Sequence, residues 1–309
     1  MKYVFIHGEL IKGYEMVAET IKSFCGDSQT TACRICGETL AGKTVTSGQQ
    51  PYETTWILCA ACGSWSIGSK PDIERLNAFY SDYSIHHKKA ATNTDANDGK
   101  RYSDEWRDTR EREYRLSIND IGLELEQGKD LVDFGAYDGV FLDVCRATQP
   151  NLGKTTAVDY PREDTLHLAI RGHNFEPINE WLAGESLTDI VTLWDVYEHI
   201  ADLPELLTTL SRRVKSGGQV LIQTPRAHMH AQILGPQWHH FLPVQHLQLP
   251  SREGILRQFD HYGFTAVQVG SFGANAPGSI IPQPYKQLFD TLAKMGDLGS
   301  TQLIRFVRR

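Results

Sequence analysis

Two cysteine pairs, Cys33-x-x-Cys36 and Cys59-x-x-Cys62, lie 22 residues apart, and each is followed directly by a glycine, Gly37 and Gly63. A Cys-x-x-Cys turn aims two thiolates at one ion, and two such turns make a tetrahedral Cys₄ site, for which zinc is the expected metal. A closed Cys₄ site leaves no open position, so its role is structural. Disulfides, a redox Cys-x-x-Cys or a one-iron centre of the same geometry are other readings of these residues. A second pattern lies at Leu131-Val132-Asp133-Phe134-Gly135-Ala136-Tyr137-Asp138-Gly139, an apolar run ending in an acid and then a turn with two glycines. Asp159 closes another apolar run twenty residues after Gly139. A glycine turn with an acid at that distance is the pattern of a nucleoside-binding βαβ unit, the acid accepting from ribose hydroxyls. Tyr137 stands where a G-x-G-x-G pattern would have its middle glycine. The third group is the histidines, twelve in all, the side chains best suited to take a proton near neutral pH. Glu198-His199 and His246 are the candidates for that role. His239 and His240 serve equally well as substrate hydrogen-bonding or structural groups.

Alternating strands and helices are needed to hold these residues. The run near 130–134 reads as a strand, 139–148 as a helix, 155–159 as a strand and 162–172 as a helix. A strand over 189–194, a helix over 203–214 and a strand over 219–224 follow, with two last strands near 263–269 and 303–307. The expected fold is α/β, a Rossmann-like, doubly wound seven-stranded sheet preceded by a small zinc-ribbon domain. In such sheets ligands bind at the carboxyl ends of the strands. Asp195, at the end of the fourth strand, should face that crevice. Ahead of the sheet, residues 1–30 form an extension without assigned chemistry, and 31–87 the Cys₄ domain with an aromatic segment. The polar stretch 88–100 is a linker and 101–309 the main domain. Tyr80 and Tyr83 could form an aromatic lid over substrate or pack between domains. In 101–127, Trp106, Tyr114, Leu116, Ile118 and Leu123 mark an apolar stripe, and the charges there read as a solvated face.

The bulk composition narrows the function. The 309 residues are 22% charged and 40% hydrophobic, as in a soluble globular protein. A net charge of −7 gives no footprint for nucleic acid. The first apolar run is too short for a signal peptide, and none approaches a membrane span. Six cysteines without an export signal suggest a reducing, cytoplasmic setting.

Three segments in order carry a family resemblance: the glycine turn at 131–142, Asp189-Ile190-Val191-Thr192-Leu193-Trp194-Asp195-Val196-Tyr197-Glu198-His199, and Val214-Lys215-Ser216-Gly217-Gly218-Gln219-Val220-Leu221-Ile222-Gln223-Thr224-Pro225. They resemble the motif series of the class I S-adenosylmethionine (SAM)-dependent methyltransferases over roughly residues 110–270. With the cysteine pairs, the Phe79-Tyr80-Ser81-Asp82-Tyr83 segment and the late Trp238…Pro243-Val244-Gln245-His246 segment, the chain is similar to the zinc-ribbon-bearing group that includes sugar and natural-product methyltransferases. The resemblance implies SAM and structural zinc as cofactors. It implies cofactor binding by Asp133, Gly135, Ala136, Tyr137, Gly139, Asp159, Tyr160, Asn179 and Asp195, with Tyr160 and Asn179 near the adenine. It implies zinc on Cys33, Cys36, Cys59 and Cys62, and catalysis by His246 as base with His199, Glu198 and Tyr83. The expected reaction is O-methylation of a small molecule or saccharide. C-methylation of a nucleotide-linked ketosugar is the alternative, against which Gln245 stands where that subgroup usually carries glutamate. An NAD-dependent oxidoreductase and an RNA-binding or RNA-modifying ribbon protein are readings from other classes. The oligomeric state is left open.

Overall fold

Short apolar runs become the centre of a parallel sheet because both of their faces are covered. In the computed structural model, which describes residues 25–47, 54–74, 76, 104–161, 168–169, 171–242, 246–273 and 285–309, the strands β6 (Leu131–Phe134), β7 (Thr155–Asp159) and β9 (Thr188–Trp194) are buried along their whole length. With β8 (Asn174–Pro177) and β10 (Val214–Pro225) they form the parallel part of a seven-stranded sheet. Two more strands, β12 (Phe264–Phe272) and β13 (Thr301–Arg308), complete it with antiparallel pairings. The last strand inserts between β10 and β12, so the order, with the sheet's strands counted along the chain, is 3-2-1-4-5-7-6. β6 pairs with both β7 and β9, which puts the reversal of strand order beside the glycine turn.

Residues alternate across the sheet into two cores. Val132, Phe134, Val220 and Ile222 pack on one face with Trp181, Leu207 and Phe259. Leu131, Leu221 and Leu303 pack on the other with Ile121, Phe141 and Trp194. The helices that supply these residues are α1 (Asp104–Ile121), α2 (Val140–Thr148), α3 (Ile178–Ala183), α4 (Leu203–Arg213) and α6 (Arg252–His261). α5 (Met229–Leu234) and α7 (Tyr285–Met295) lie outside these two cores. α4 starts on a capped turn, with Asp202 accepting from the Glu205 amide at 2.9 Å and proline in its first turn.

Three expectations are corrected here. Leu116 is 57% exposed and does not belong to the apolar stripe of α1, whose inward face is Tyr114, Ile118 and Ile121. The charges of α1 are not all solvated either, because Arg110 turns in to the Tyr114 hydroxyl at 3.1 Å. The strand read as 219–224 begins at Val214, with a register shift before Gln219 and Gly217 in the left-handed region at φ +76°. The N-terminal residues 1–24, the Tyr80 and Tyr83 segment, the linker 88–100, most of the helix expected over 162–172, and Gln245 lie outside the described residues.

The cysteine-bearing segment builds its own small sheet. β2 (Thr44–Ser47), β3 (Thr54–Leu58) and β4 (Trp65–Ile67) are antiparallel neighbours, and the fourth strand comes from far along the chain: β11 (Gln248–Leu249) pairs with β4. Beside it, β1 (Cys25–Gln29) pairs with β5 (Ser69–Pro71). An aromatic cluster welds the two parts together. Phe241 sits 5.3 Å from Trp56, 5.2 Å from Trp65 and 5.1 Å from Trp238, ring centre to ring centre. All four rings are buried. Phe241→Ala should therefore destabilise the protein by about 3–5 kcal/mol, lowering the thermal midpoint. Leu187→Ala, at a 54% exposed site, should change it little. Equal midpoints for the two variants would contradict this packing.

Candidate active site

The glycine turn after β6 is bent by three left-handed residues, Gly135 (φ +79°), Tyr137 (φ +52°) and Gly139 (φ +74°). Tyr137 thus adopts the conformation that a glycine would take more easily. Its amide explains how: it donates to Asp159 Oδ2 at 2.7 Å, and the Tyr160 amide donates to Asp159 Oδ1 at 2.7 Å. The carboxylate at the end of β7 is thereby fixed against the turn. Gly135 is required on a second ground, since a Cβ there would meet Val196 Cγ2 at 2.4 Å. The turn and the loop after β9 are therefore in close contact. Arg171, which sequence reading missed, reaches over the turn to the Asp138 carbonyl. It shares Asp143 with Arg107 and with His173 Nε2 at 2.8 Å. Burial would raise the Asp143 pKa, but His173, Arg171 and Arg107 together hold it below the ordinary carboxylate range.

Asp133 is 3% exposed and accepts from Thr192 Oγ1 at 2.7 Å. Burial pushes its pKa up to about 8, against the pull of the Thr192 bond. Asp195 has φ +54° and lies where β9 leaves the sheet. It is tied to β10 by two bonds, its amide to the Gln223 carbonyl and Gln223 Nε2 to its carboxylate, each 2.9 Å. Burial raises its pKa and the charge of Arg110 on α1 opposes the rise. Ala136 is buried within the turn, Tyr160 is half-buried after β7, and Asn179 is exposed in the first turn of α3, at the same end of the sheet.

Glu198, His199 and His246 come together at this end. Their ligand atoms all lie within 4.8 Å of one another. The His199 and His246 rings are 4.8 Å apart, and His199 Nε2 is 4.0 Å from Glu198 Oε1. Glu198 is 1% exposed and accepts from Thr224 Oγ1 at 2.9 Å. His246 donates from Nδ1 to the His240 carbonyl at 2.7 Å, which leaves Nε2 with its lone pair. Burial and then the neighbouring His199 push the His246 pKa well below its ordinary value. The His239 and His240 rings lie 3.8 Å apart, tilted by 41°, and His240 lies 6.1 Å from His246. Tyr83 cannot be placed against this cluster, because it lies outside the described residues.

The cysteines converge independently. Cys33 Sγ lies 3.7 Å from Cys62 Sγ and Cys36 Sγ 3.6 Å from Cys59 Sγ, with all four within 4.8 Å of one another. A tetrahedral ion with zinc–sulfur bonds of about 2.3 Å needs sulfurs about 3.8 Å apart. A disulfide needs about 2.05 Å, so the four thiols fit a zinc ribbon and not a pair of disulfides. The two turns repeat one geometry. Gly37 donates to the Cys33 carbonyl at 2.8 Å and Gly63 to the Cys59 carbonyl at 2.9 Å, both glycines having φ above +70°.

A doubly wound sheet in this order, with a glycine turn after its first strand and an acid at the end of its second, is the fold of a class I SAM-dependent methyltransferase. A family model described as a methyltransferase domain matches residues 106–269, more than half of the chain, and the chain belongs to that family. No curated protein matches the sequence. Among solved structures, the fold is similar to one in the complex between the Haloferax volcanii Trm112 methyltransferase activator and a methyltransferase, at 15% identity and a TM-score of 0.50, covering 75% of this chain and 97% of that one. It is similar also to magnesium protoporphyrin IX methyltransferase from Synechocystis PCC 6803 with bound S-adenosylhomocysteine, at 10% identity and a TM-score of 0.50, covering 77% of this chain and 100% of that one. Among the described residues no helix is long and apolar enough to cross a membrane.

The raised pKa of Asp133 has a consequence for stability. An unfolded aspartate titrates near 3.9. Between about pH 4 and pH 8 the folded protein keeps a proton that the unfolded chain has released, so this group makes stability fall as pH rises through that window. Asp133→Asn should flatten the decline and raise the denaturation midpoint at pH 8 more than at pH 4. Chemical denaturation at the two pH values measures it, and an equal shift at both would refute the buried-acid assignment.

Proposed function

We propose that this enzyme transfers the methyl group of SAM to an oxygen of a small-molecule or saccharide acceptor. SAM, when bound, supplies an electrophilic methyl on a sulfonium. The observation that supports an oxygen acceptor is the convergence of Glu198, His199 and His246 beside the loop that touches the glycine turn. A hydroxyl is a poor nucleophile until its proton has somewhere to go, whereas a thiolate or a free amine needs less help. In this reading Asp159 takes the ribose hydroxyls and the backbone of Gly135, Ala136, Tyr137 and Gly139 shapes the cradle. Asp133 and Asp195 flank the amino acid end, and Tyr160 and Asn179 border the adenine. The acceptor hydroxyl loses its proton at the Glu198–His199–His246 cluster.

The same reading puts zinc on Cys33, Cys36, Cys59 and Cys62 and places the chain in the ribbon-bearing group, with 31–87 as the ribbon unit, 88–100 as linker and 101–309 as the transferase unit. The carbohydrate or natural-product class of the acceptor follows from that grouping. Net charge of −7 speaks against a nucleic acid acceptor.

Calorimetry with S-adenosylhomocysteine tests the cofactor half. The wild type should bind it, and Asp159→Ala should weaken binding by at least about tenfold, the loss of one good charged hydrogen bond. Binding of NAD instead would remove the proposal. For the acceptor half, His246→Ala should reduce single-turnover methylation by about 10²–10⁴-fold, leaving cofactor affinity near wild type. Unchanged turnover would take His246 out of the chemistry. For the ribbon, elemental analysis should find zinc bound by the four thiols, and Cys36→Ser should lower both the zinc content and the thermal midpoint. Intact folding without metal would overturn it.

A further inference from the structure

The three groups that meet at the acceptor end are two imidazoles and one carboxylate, the donor set of open metal centres in enzymes. We propose that Glu198, His199 and His246 bind one divalent transition-metal cation, distinct from the Cys₄ ion, whose open positions take the oxygen of the methyl acceptor. The proposal rests on the reading of this crevice as the acceptor site and says how the hydroxyl is activated there.

Four observations carry it. The ligand atoms lie within 4.8 Å of one another, while ligands at about 2.1 Å from an ion stand roughly 3.0–3.5 Å apart. An inward shift of under about 1 Å by each side chain closes the difference. The donors are also pre-set by what lies behind them. The His240 carbonyl takes the Nδ1 proton of His246 and thereby fixes the tautomer whose Nε2 can bind metal. Thr224 occupies Oε2 of Glu198, leaving Oε1 on the His199 side at 4.0 Å from its Nε2. Third, Glu198 is a carboxylate at 1% exposure, and among the described residues no lysine or arginine pairs with it. A charge buried that deeply is costly unless a cation or a proton compensates it. Fourth, the two segments that carry the ligands are joined at the backbone, Leu247 donating to the Glu198 carbonyl at 2.8 Å. The three side chains are thus held on one rigid junction and not on independent loops.

The imidazoles select the metal class. Two nitrogen ligands favour iron, cobalt, manganese or zinc over magnesium or calcium, which prefer oxygen. Only three protein ligands are supplied, so one or more positions stay open, unlike the Cys₄ set. An acceptor hydroxyl held at such an ion would be more acidic, as metal-bound water is, and its proton would pass to solvent water; Glu198, His199 and His246 would then act on the hydroxyl through the ion they hold, not as its direct proton acceptors.

The test is metal titration of the full chain. Protein as purified, its thiol-bound metal first counted by elemental analysis, is washed with a mild chelator and titrated with Mn²⁺ or Co²⁺ by calorimetry. One further ion per chain should bind. His199→Ala, at the most exposed of the three ligands, and Glu198→Gln should each weaken it by about 10–100-fold or more, without change in thiol-bound metal or in circular dichroism. Absence of a further ion in the wild type, or equal affinity in both variants, would overturn the site. Turnover that survives removal of the ion would overturn its role in holding the acceptor. S-adenosylhomocysteine binding, measured in parallel, reports on the methyltransferase reading alone. Its failure would remove that reading while the ion count still decides this one.

Discussion

One buried amide holds the two halves of this protein in register. Gln248 is fully buried, and its side chain is shared three ways. It accepts from Arg34 Nε at 2.6 Å, and it donates to the carbonyls of Tyr197 at 2.7 Å and Ile200 at 3.0 Å. Arg34 stands between Cys33 and Cys36, inside the first cysteine turn, and its guanidinium also reaches the carbonyls of Ile200 and Ala201. Glu198 and His199 lie within the turn so gripped. On the other side, Ser251 donates from its hydroxyl to the Cys62 carbonyl in the second knuckle. A buried amide left with an unpaired donor or acceptor loses on the order of 1–3 kcal/mol. The cysteine-bearing sheet is thereby tied to the turn that carries Glu198 and His199. Desolvation lowers the Arg34 pKa to about 10, still well above neutrality, so the guanidinium keeps its charge while it is buried.

The two cysteine turns are shaped by backbone bonds, Gly37 to the Cys33 carbonyl and Gly63 to the Cys59 carbonyl, and Cys33, Ile35, Cys59 and Cys62 are packed into one core with the main sheet. The rigidity passes through Arg34 and Gln248 to the loop after β9, and through β11 to the segment that begins at His246. On the cofactor side a different device serves. Asp159 ties the turn after β6 to the end of β7 through two backbone amides, and Val196 fills the space that Gly135 leaves open.

The sheet was largely legible in the sequence because its strands are apolar runs bounded by glycine, proline and acids. β6, β7, β9 and the last two strands fall within a few residues of their expected places. Asn174–Pro177 escaped because it is an edge strand of four residues, none of them buried, and it ends in proline. The start of β10 escaped because two glycines imitate a turn, where the chain instead bulges, with Gly217 left-handed, and continues as one strand. Candidate site residues were legible where chemistry marks the residue type, as in the cysteine pairs and the Glu198-His199 pair. That His199 and His246 lie ring to ring was not, because topology alone brings them together. Arg110, Arg171 and Thr224 were invisible for a related reason, since an arginine or threonine in a helix or strand carries no sign of which polar group it will meet. Tyr137 is the subtlest case. Its missing glycine weakened the motif on paper, while the chain tolerates the left-handed residue by giving its amide to Asp159.

The contact between Arg34 and Gln248 joins residues 214 positions apart in the chain. Closing so long a loop carries an entropy cost that nearby contacts do not share, and it is recovered only when both partners are already shaped. The βαβ units around the glycine turn are local, whereas β11 finds its partner in β4, far back in the chain, and the cysteine-bearing sheet takes its fourth strand from a segment beyond β10. The seam is thus a non-local part of the fold, and the β4 edge is covered only while that seam is closed.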